Sequence, residues 1–390
     1  MAIGLDVRIL QESGAARGIA TYIRGLLAGF ESAGFAEQVV RFRYREPEPL
    51  GVVSAELGFA ELHRVWREQR VLSDALNQLL LPVEVGCAEI DAFHAPSPYD
   101  LAWWYPVPLV VTIHDVAPLE RPGGIVRTGL EHRFLYRFAR RAARIITVSE
   151  FSRAAILRHL PLDPERLVVV PEAAQPGLAP ASADAVAATL GRLGVRPPYV
   201  LHVGGYDRAE PRKDVATLIA AFAELRRREH DARLVLVGGG GAGVPDLVAA
   251  IERHGIGAHV VRTGFVSPPD LAALYTGASA FVFPSTYEGF GLPVLEAMTC
   301  GAPVLAARAG SLPEVGGDAA LYAPPGDVAS FAGTLAELLE RGDLRRERIA
   351  RGLARAAEFT WDRTARLTWD VYGAAIEEPA ARLRRPRNWD

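Results

Sequence analysis

Apolar and polar residues alternate along this chain in two repeating patterns. Short apolar runs, typical of buried parallel strands, are followed by longer segments in which apolar residues recur every three or four positions, as in helices that cover a sheet. We predict strands over residues 3–10, 89–94, 108–113, 145–148, 199–203, 233–237, 259–262, 280–284 and 302–305. The helical spacing is clear at Ile19, Ile23 and Leu26. This strand–helix alternation predicts an α/β fold with doubly wound sheets.

The alternation is interrupted between residues 171 and 198. This segment contains Ala-Pro-Ala-Ser, several glycines and the pair Pro197-Pro198, a composition typical of a linker. A length of 390 residues suits two or three domains. We therefore expect an interdomain linker near 172–183, an N-terminal domain over 1–172 and a second domain over 184–360.

The stretch 278–301 combines a strand, a glycine loop, two carboxylates and a helix start. The apolar run ends at Pro284, and Pro293 favours a helix that begins near Leu292. Glu288 therefore falls in the loop and Glu296 in the first turns of the helix. Ligands of open α/β sheets bind at the carboxyl ends of the strands, where helix N-termini attract anions. Carboxylates beside such amides suggest a ligand that has both hydroxyl and phosphate groups.

Glu288 and Glu296 are separated by seven residues in E-G-F-G-L-P-V-L-E. This segment resembles the E-x7-E motif of retaining glycosyltransferases of family 4, which have the GT-B fold, and the likeness extends from Leu5 to about Tyr372. The resemblance implies two Rossmann-like domains facing an interdomain cleft, with a last helix that returns residues 361–390 to the N-terminal domain. It further implies hexose transfer from a nucleoside diphosphate sugar, GDP-mannose first, to an acceptor hydroxyl with retention. The spacing alone also fits a glutamate that complements a helix dipole and another that is solvated.

Lys213 is the only lysine among 43 lysine and arginine residues. Its segment, after the strand at 199–203, resembles the family's basic loop, in which an arginine and a lysine hold the leaving diphosphate. The family's arginine position falls on Gly205, so the second cation is expected to be Arg208 or Arg212, or to be absent. A fixed cation there stabilises the transition state more than the ground state. Because no D-x-D sequence occurs, we expect neither metal nor cofactor. The alternative is an ordinary surface lysine.

The resemblance assigns roles to further positions. Glu296 is expected to hold the nucleotide ribose and Glu288 the donor sugar, while His114, in Thr-Ile-His-Asp, contacts the transferred sugar or the acceptor. The remaining donor-binding candidates lie in three segments: Gly18 at a helix start, Gly264, Phe265 and Val266 near the base, and Gly289, Phe290, Gly291 and Leu292 around the sugar and phosphates. A lone histidine at a strand end is often only hydrogen-bonded, and Gly18 also fits a turn.

This chain departs from the family pattern in two segments and matches it in a third. Ala20 and Thr21 stand where relatives often have a glycine and a basic residue, and Glu172-Ala173 stands where they often have Asn-Gly. The segment Val-Ser-Glu-Phe-Ser is similar to the family's, and Ser152 in it is expected to cap a helix.

Composition bears mainly on partners and location. A net charge of −3 argues against nucleic acid as the main partner. The two cysteines lack C-x-x-C spacing, and no apolar run reaches the length of a membrane span, so we expect a cytoplasmic protein. The basic amphipathic stretch 127–144 predicts a solvated face or peripheral contact with the inner membrane surface. A nucleotide-sugar epimerase or hydrolase, and a non-catalytic nucleotide-sugar-binding protein, are the alternative functions.

Overall fold

A computed structural model describes residues 1–11, 18–43, 70–99, 101–120, 136–206, 211–239 and 244–378. Several positions named above lie outside these residues: Arg208, part of the basic stretch (127–135), and the end of the C-terminal segment (379–390).

The chain divides into two compact units. The first comprises Met1–Leu119, Thr128–Glu172 and Trp361–Asp390, and the second comprises Glu120–Arg127 and Ala173–Thr360. Each unit contains one six-stranded sheet in which every paired strand is parallel, with helices in the connections. The predicted α/β class with two Rossmann-like doubly wound domains is therefore confirmed.

The sheet of the first unit has the strand order β2-β1-β3-β4-β5-β6. Its strands are β1 Ile3–Asp6, β2 Val39–Phe42, β3 Ala92–Ala95, β4 Leu109–Thr112, β5 Arg144–Thr147 and β6 Leu167–Val169. The helices between them in the chain are α1 Gly18–Ser32, α2 Arg70–Cys87, the short α3 Ala117–Glu120 and α4 Glu150–His159. All residues of the central strands β3 and β4 are buried, as expected for strands covered on both faces.

The sheet of the second unit has the order β12-β11-β10-β7-β8-β9. Its strands are β7 Tyr199–Val203, β8 Arg233–Val237, β9 Val260–Gly264, β10 Ala280–Phe283, β11 Val304–Ala307 and β12 Leu321–Ala323. The helices are α5 Ala183–Leu193, α6 Val215–Arg227, α7 Val244–Arg253, α8 Pro268–Gly277, α9 Leu292–Thr299, α10 Leu312–Gly316, α11 Val328–Glu340 and α12 Gly342–Ala356. The strand order reverses between β7 and β10, and loops at the carboxyl ends of such a pair form the usual ligand site of an open sheet.

The last helix, α13 Trp361–Ile376, belongs to the first unit and packs on α1. A Cβ atom at Gly25 of α1 would lie 2.0 Å from the Trp361 ring, so the absence of a side chain permits this close approach. Tyr372 of α13 also reaches the sheet, where its hydroxyl lies 2.7 Å from His94 Nδ1. The C-terminal helix is thus part of the core of the first unit.

The structure corrects the predicted elements in three places. The first strand ends at Asp6, because Arg8 turns back to pair with it at 2.6 Å. Strands β2, β6 and β12 were not predicted: all three are edge strands of three or four residues, and β6 was missed although it is an apolar run. Ser149, and not Ser152, caps α4: its Oγ accepts from Ser152 N at 3.0 Å.

Candidate active site

The loop after β10 holds Glu288 in a buried position, with 8% of the residue exposed. Ser311, at the start of α10, fixes this loop from the neighbouring connection. Its Oγ lies 3.0 Å from the carbonyl oxygen of Glu288 and 2.6 Å from that of Phe290. Its N–H also donates to the Glu288 carbonyl at 3.2 Å. The backbone that carries Glu288 is therefore set by two adjacent strand–helix connections.

A 3₁₀ turn at Pro211–Lys213, downstream of β7, is attached to the same loop. The N–H of Thr286 donates to the Arg212 carbonyl at 2.7 Å, and Ser285 Oγ donates to the same oxygen at 3.1 Å. Because β7 and β10 are neighbours in the sheet, these bonds join the loops at the carboxyl ends of the two central strands.

The two cations of this turn both contact Glu288. Lys213 Nζ lies 2.8 Å from Oε1, and Arg212 Nη1 lies 3.0 Å from Oε2. Arg212 also donates to the carbonyl of Tyr287 at 2.9 Å, and Lys213 Nζ lies 5.3 Å from the centre of the Phe283 ring. Each carboxylate oxygen thus has its own cation, and backbone or aromatic contacts fix the position of both cations.

This cluster carries an excess of positive charge in a poorly hydrated place. The side chains of Lys213, Arg212 and Glu288 are 15%, 14% and 10% exposed. Two cations and one carboxylate give a formal charge of +2 − 1 = +1. Burial alone would raise the pKa of Glu288, but the charges of Lys213 and Arg212 outweigh it and lower this pKa. The carboxylate is consequently ionised at neutral pH, and the surplus charge favours an anionic ligand.

Asp214 connects the cationic turn to α6 in an unusual backbone conformation. Its φ of 45° lies in the left-handed region, which side chains other than asparagine and aspartate rarely adopt. The carboxylate caps α6 by accepting from Thr217 N at 3.4 Å and Thr217 Oγ1 at 2.7 Å. The cap therefore stabilises the sharp change of direction immediately after Lys213.

Helix α9 begins at Leu292, as predicted, with Gly291 as its N-cap at a φ of 105°. A Cβ atom at Gly291 would lie 2.6 Å from a Leu312 methyl carbon, which would have to shift, and the positive φ is the stronger reason for glycine here. Gly289 and Phe290 are buried beside this helix start. The first-turn N–H groups of a helix have no acceptor within it, and they carry its positive dipole end.

Glu296 has different neighbours from Glu288. It is 8% exposed, its Oε2 lies 3.4 Å from the Tyr275 hydroxyl, and it accepts from the backbone of Gln175. Burial raises the pKa of Glu296 to about 7, although these two hydrogen bonds oppose the shift. At neutral pH this carboxyl group is therefore present in both the protonated and the ionised form, and it can donate or accept a hydrogen bond.

The segment expected near a nucleotide base lies at the end of β9. The carbonyl of Gly264 accepts from Gly238 N at 2.9 Å, and Val266 is half-buried. Phe265 is 81% exposed, and a Cβ atom at Gly239 would lie 2.0 Å from its ring. An exposed aromatic ring beside two glycines offers a flat surface to a planar ligand.

His114 and Gly18 belong to the first unit. His114 Nδ1 lies 2.9 Å from Glu172 Oε1, and its Nε2 lies 3.1 Å from the carbonyl oxygen of Pro96. Gly18 begins α1, and nothing lies within 4 Å of the position that a Cβ atom would take there. Space alone therefore does not require glycine at 18.

The described residues contain neither a metal-binding cluster nor a membrane-spanning helix. Among them, no three histidine, cysteine, aspartate or glutamate side chains are grouped closely enough to hold a metal ion. None of the helices in the described ranges is long and apolar enough to cross a membrane.

Comparison with protein families covers both units of the chain. The family model for group 1 glycosyl transferases matches residues 193–355, and the model for glycosyltransferase family 4 matches residues 16–175. The chain belongs to glycosyltransferase family 4. The group 1 match includes the cluster of Lys213, Arg212 and Glu288 as well as Glu296, and the family 4 match includes His114 and Glu172.

Individual relatives of this glycosyltransferase include bacterial mannosyltransferases. O-antigen chain mannosyltransferase B of Escherichia coli is 35% identical over 67% of this chain and 69% of its own length. MMP alpha-(1->4)-mannosyltransferase of Mycolicibacterium hassiacum is 29% identical over 87% of this chain and 85% of its own length.

Solved structures share the fold of this glycosyltransferase at low identity. Sucrose-phosphate synthase from Thermosynechococcus elongatus superposes with a TM-score of 0.75 at 21% identity, covering 96% of this chain and 98% of that one. HepE from Anabaena, in complex with UDP and glucose, superposes with a TM-score of 0.73 at 20% identity, covering 96% and 99%. These likenesses confirm the GT-B architecture.

The structure brings some of the predicted site residues of this glycosyltransferase into contact and leaves others apart. Lys213 and Arg212 both contact Glu288, whereas Glu296 lies among other groups on α9. Sequence reasoning missed the supporting residues Ser311 and Asp214. The signal for Asp214 is its place directly before a helical pattern, which is typical of an N-cap.

Proposed function

We propose that this glycosyltransferase moves a hexose from a nucleoside diphosphate sugar to an acceptor hydroxyl with retention of the anomeric configuration. The observation that carries the proposal is the buried cluster at the ends of β7 and β10. There, Lys213 and Arg212 hold Glu288 at 2.8 Å and 3.0 Å and keep a net positive charge.

The diphosphate of the donor is the ligand that suits this charge. Its oxygens compete with the Glu288 carboxylate for Lys213 and Arg212, and the N-terminus of α9 adds the amides of Gly291 and Leu292. The leaving phosphate gains negative charge as the bond to the sugar breaks, so cations held in a site of low hydration stabilise the transition state preferentially. In this proposal fixed cations stabilise the charge of the leaving phosphate, a role that a metal ion has in other sugar transferases. The proposed reaction is therefore metal-independent.

The two glutamates take different parts of the donor in this proposal. Glu288, released from the cations by the diphosphate, accepts hydrogen bonds from hydroxyls of the transferred sugar. Glu296, whose pKa is near 7, exchanges hydrogen bonds with the hydroxyls of the nucleotide ribose. Gly264, Phe265 and Val266 lie at the end of β9, where the exposed Phe265 ring can contact the base.

Retention follows from front-side displacement. The acceptor oxygen forms its bond to the anomeric carbon on the face from which the phosphate leaves, the carbon–phosphate oxygen bond breaks, and the acceptor proton passes to the departing phosphate oxygen. The alternative covalent route needs a carboxylate nucleophile on the opposite face of the sugar, whereas in this proposal Glu288 binds the sugar hydroxyls. In this scheme His114 contacts the transferred sugar or the acceptor, and Gly18, at the start of α1, contributes to donor binding.

GDP-mannose is the first donor to test, because two of the relatives are named mannosyltransferases. Thermal-shift screening against GDP, UDP, ADP and dTDP sugars ranks the nucleotides, since a ligand of the folded state raises apparent stability. Product NMR then compares the anomeric configuration with that of the donor. We expect a product of the same configuration. An inverted product contradicts the mechanism, donor consumption without acceptor favours a hydrolase or epimerase, and binding without turnover favours a non-catalytic protein.

We further propose peripheral contact with the cytoplasmic face of the inner membrane through one surface of the first unit. Trp103 and Trp104 are 56% and 54% exposed, and Arg141 donates to the Trp103 carbonyl. Exposed tryptophans beside arginines suit an interface with anionic lipids. Co-sedimentation with vesicles rich in phosphatidylglycerol should fall when both tryptophans are replaced by serine. Equal binding of the variant and the parent would reject this surface.

A further inference from the structure

The backbone around His114 is fixed on both sides. Ile113 N donates to the Ile146 carbonyl at 2.8 Å, and Ser152 Oγ donates to the His114 carbonyl at 2.9 Å. The direction in which the His114 side chain leaves the sheet is therefore set by β5 and by α4.

Both ring nitrogens of His114 face oxygen atoms. The carbonyl of Pro96, 3.1 Å from Nε2, can only accept, so Nε2 carries a proton. Nδ1 lies 2.9 Å from Glu172 Oε1, and a further proton lies between them. Glu172 is 4% exposed, which leaves its carboxylate dependent on this partner. Neither nitrogen of His114 therefore has a lone pair directed at an incoming ligand.

We infer that Glu172 is a positioning residue that holds His114 as an imidazolium with both N–H groups engaged. The ring supplies positive charge to a bound sugar or acceptor, and it does not accept a proton. Only the contact between His114 and the sugar or acceptor rests on the proposed function. The state of the ring is a property of the protein alone.

The other titratable groups that face His114 do not replace Glu172. Burial lowers the pKa of His94 to about 3, so this histidine is neutral. The ring of Tyr22 meets His114 edge-on at 4.8 Å, and burial raises its pKa, so it is an uncharged phenol. Asp115 adds a weaker attraction. Burial alone would lower the pKa of His114, but the hydrogen bond and charge of Glu172 outweigh it and raise this pKa.

The carboxylate is placed by the C-terminal helix. The carbonyl of Pro171 accepts from Thr364 Oγ1 of α13 at 2.7 Å, and Thr364 is 2% exposed. Glu172 follows directly after this anchor. A change at Thr364 should therefore lower the pKa of His114, as a change at Glu172 should, but by a smaller amount.

Histidine NMR tests the inference without any substrate. Two-bond 15N–1H spectra of the full chain distinguish imidazolium from either neutral tautomer, and His114→Gln assigns the signal among the nine histidines. We expect an imidazolium at pH 7 in the parent. In Glu172→Gln the titration of His114 should move about one to three pH units lower. Glu165→Gln, an exposed site in the same unit, is the matched control and should leave the titration of His114 unchanged. A neutral His114 in the parent, or an unmoved titration in Glu172→Gln, overturns the inference.

The dependence of turnover on pH gives the second test. The alkaline loss of kcat should move to lower pH in Glu172→Gln and, by less, in Thr364→Val, whereas Glu172→Asp should restore part of the shift. If Glu172→Gln folds poorly, the NMR titration of His114 in Thr364→Val still tests the inference. If the parent transfers sugar and Glu172→Gln keeps its pH profile, the inference fails while the proposed function stands. If no donor supports transfer, the proposed function fails and the NMR result is unaffected.

Discussion

The two units place different kinds of chemistry at the carboxyl ends of their central strands. In the second unit, loops from two adjacent strands hold the side chains of Lys213 and Arg212 against Glu288. In the first unit, His114 Nδ1 lies 2.9 Å from Glu172 Oε1 in a single histidine–carboxylate pair. The second unit thus offers two side-chain cations to an anionic ligand, whereas the first unit offers one imidazole ring held by one carboxylate.

The largest effect is expected from removing the side chain of the single lysine. Lys213→Ala should lower kcat about 100- to 1,000-fold, because it withdraws a fixed cation from the developing phosphate charge. The measurement is turnover with saturating donor, alongside a thermal melt that should change little. Arg341→Ala, an exposed site in the same unit, is the control. A kcat near that of the parent would mean that Lys213 has only a structural role. The proposed difference in chemistry between the two units would then be wrong.

Glu296 offers a test of stability against pH. Its pKa is raised from the ordinary glutamate value of 4.5 to about 7, so the folded chain binds more protons than the unfolded chain between these values. Stability contributed by the protonated form is therefore lost as pH rises from about 4.5 towards 7. Glu296→Gln should be more stable than the parent by up to about 3 kcal/mol at pH 8 and equal to it at pH 4.

Urea unfolding at the two pH values measures this difference. The same variant should bind the donor more weakly if Glu296 contacts the ribose. Equal stability of parent and variant at pH 8 would mean that water reaches the carboxyl group and that the pKa is not raised.

The cap at Asp214 tests how the second unit holds its cations. Asp214→Ala should lower the free energy of unfolding by about 1–2 kcal/mol, because alanine can neither cap α6 nor easily adopt a φ of 45°. Asp214→Gly loses only the cap, because glycine adopts this backbone conformation freely. Urea unfolding compares the pair, and equal losses would show that the backbone conformation costs nothing here.

The smallest effect is a gain in the affinity for free nucleotide. Glu288→Gln removes the carboxylate that competes for Lys213 and Arg212, so GDP alone should bind the variant severalfold more tightly, a gain of about 1 kcal/mol. Calorimetry measures this affinity, with Glu337→Gln as the exposed control in the same unit. Weaker binding of GDP by Glu288→Gln would place the diphosphate away from the cluster. Turnover should nevertheless fall, because the contact with the sugar is lost.

Much of the second unit was predictable from local pattern. Its central strands are continuous apolar runs, so β7, β8 and β10 were placed within a residue of their observed ends. Proline and glycine set the start of α9 at Leu292 in the same local way. The edge strands β2, β6 and β12 were missed, because runs of three or four residues are too short to be distinguished from loops by pattern alone.

By itself, the sequence determined the fold class, the family and the residue types available for chemistry, since apolar periodicity and short motifs act over a few neighbouring positions. Only the tertiary structure decided which charges meet. Arg212 and Glu288 are 76 residues apart and His114 and Glu172 are 58 apart, and both pairs form because parallel strands bring their carboxyl ends to one edge of a sheet. Ion pairs of this kind depend on strand order and loop anchoring, which no local pattern specifies.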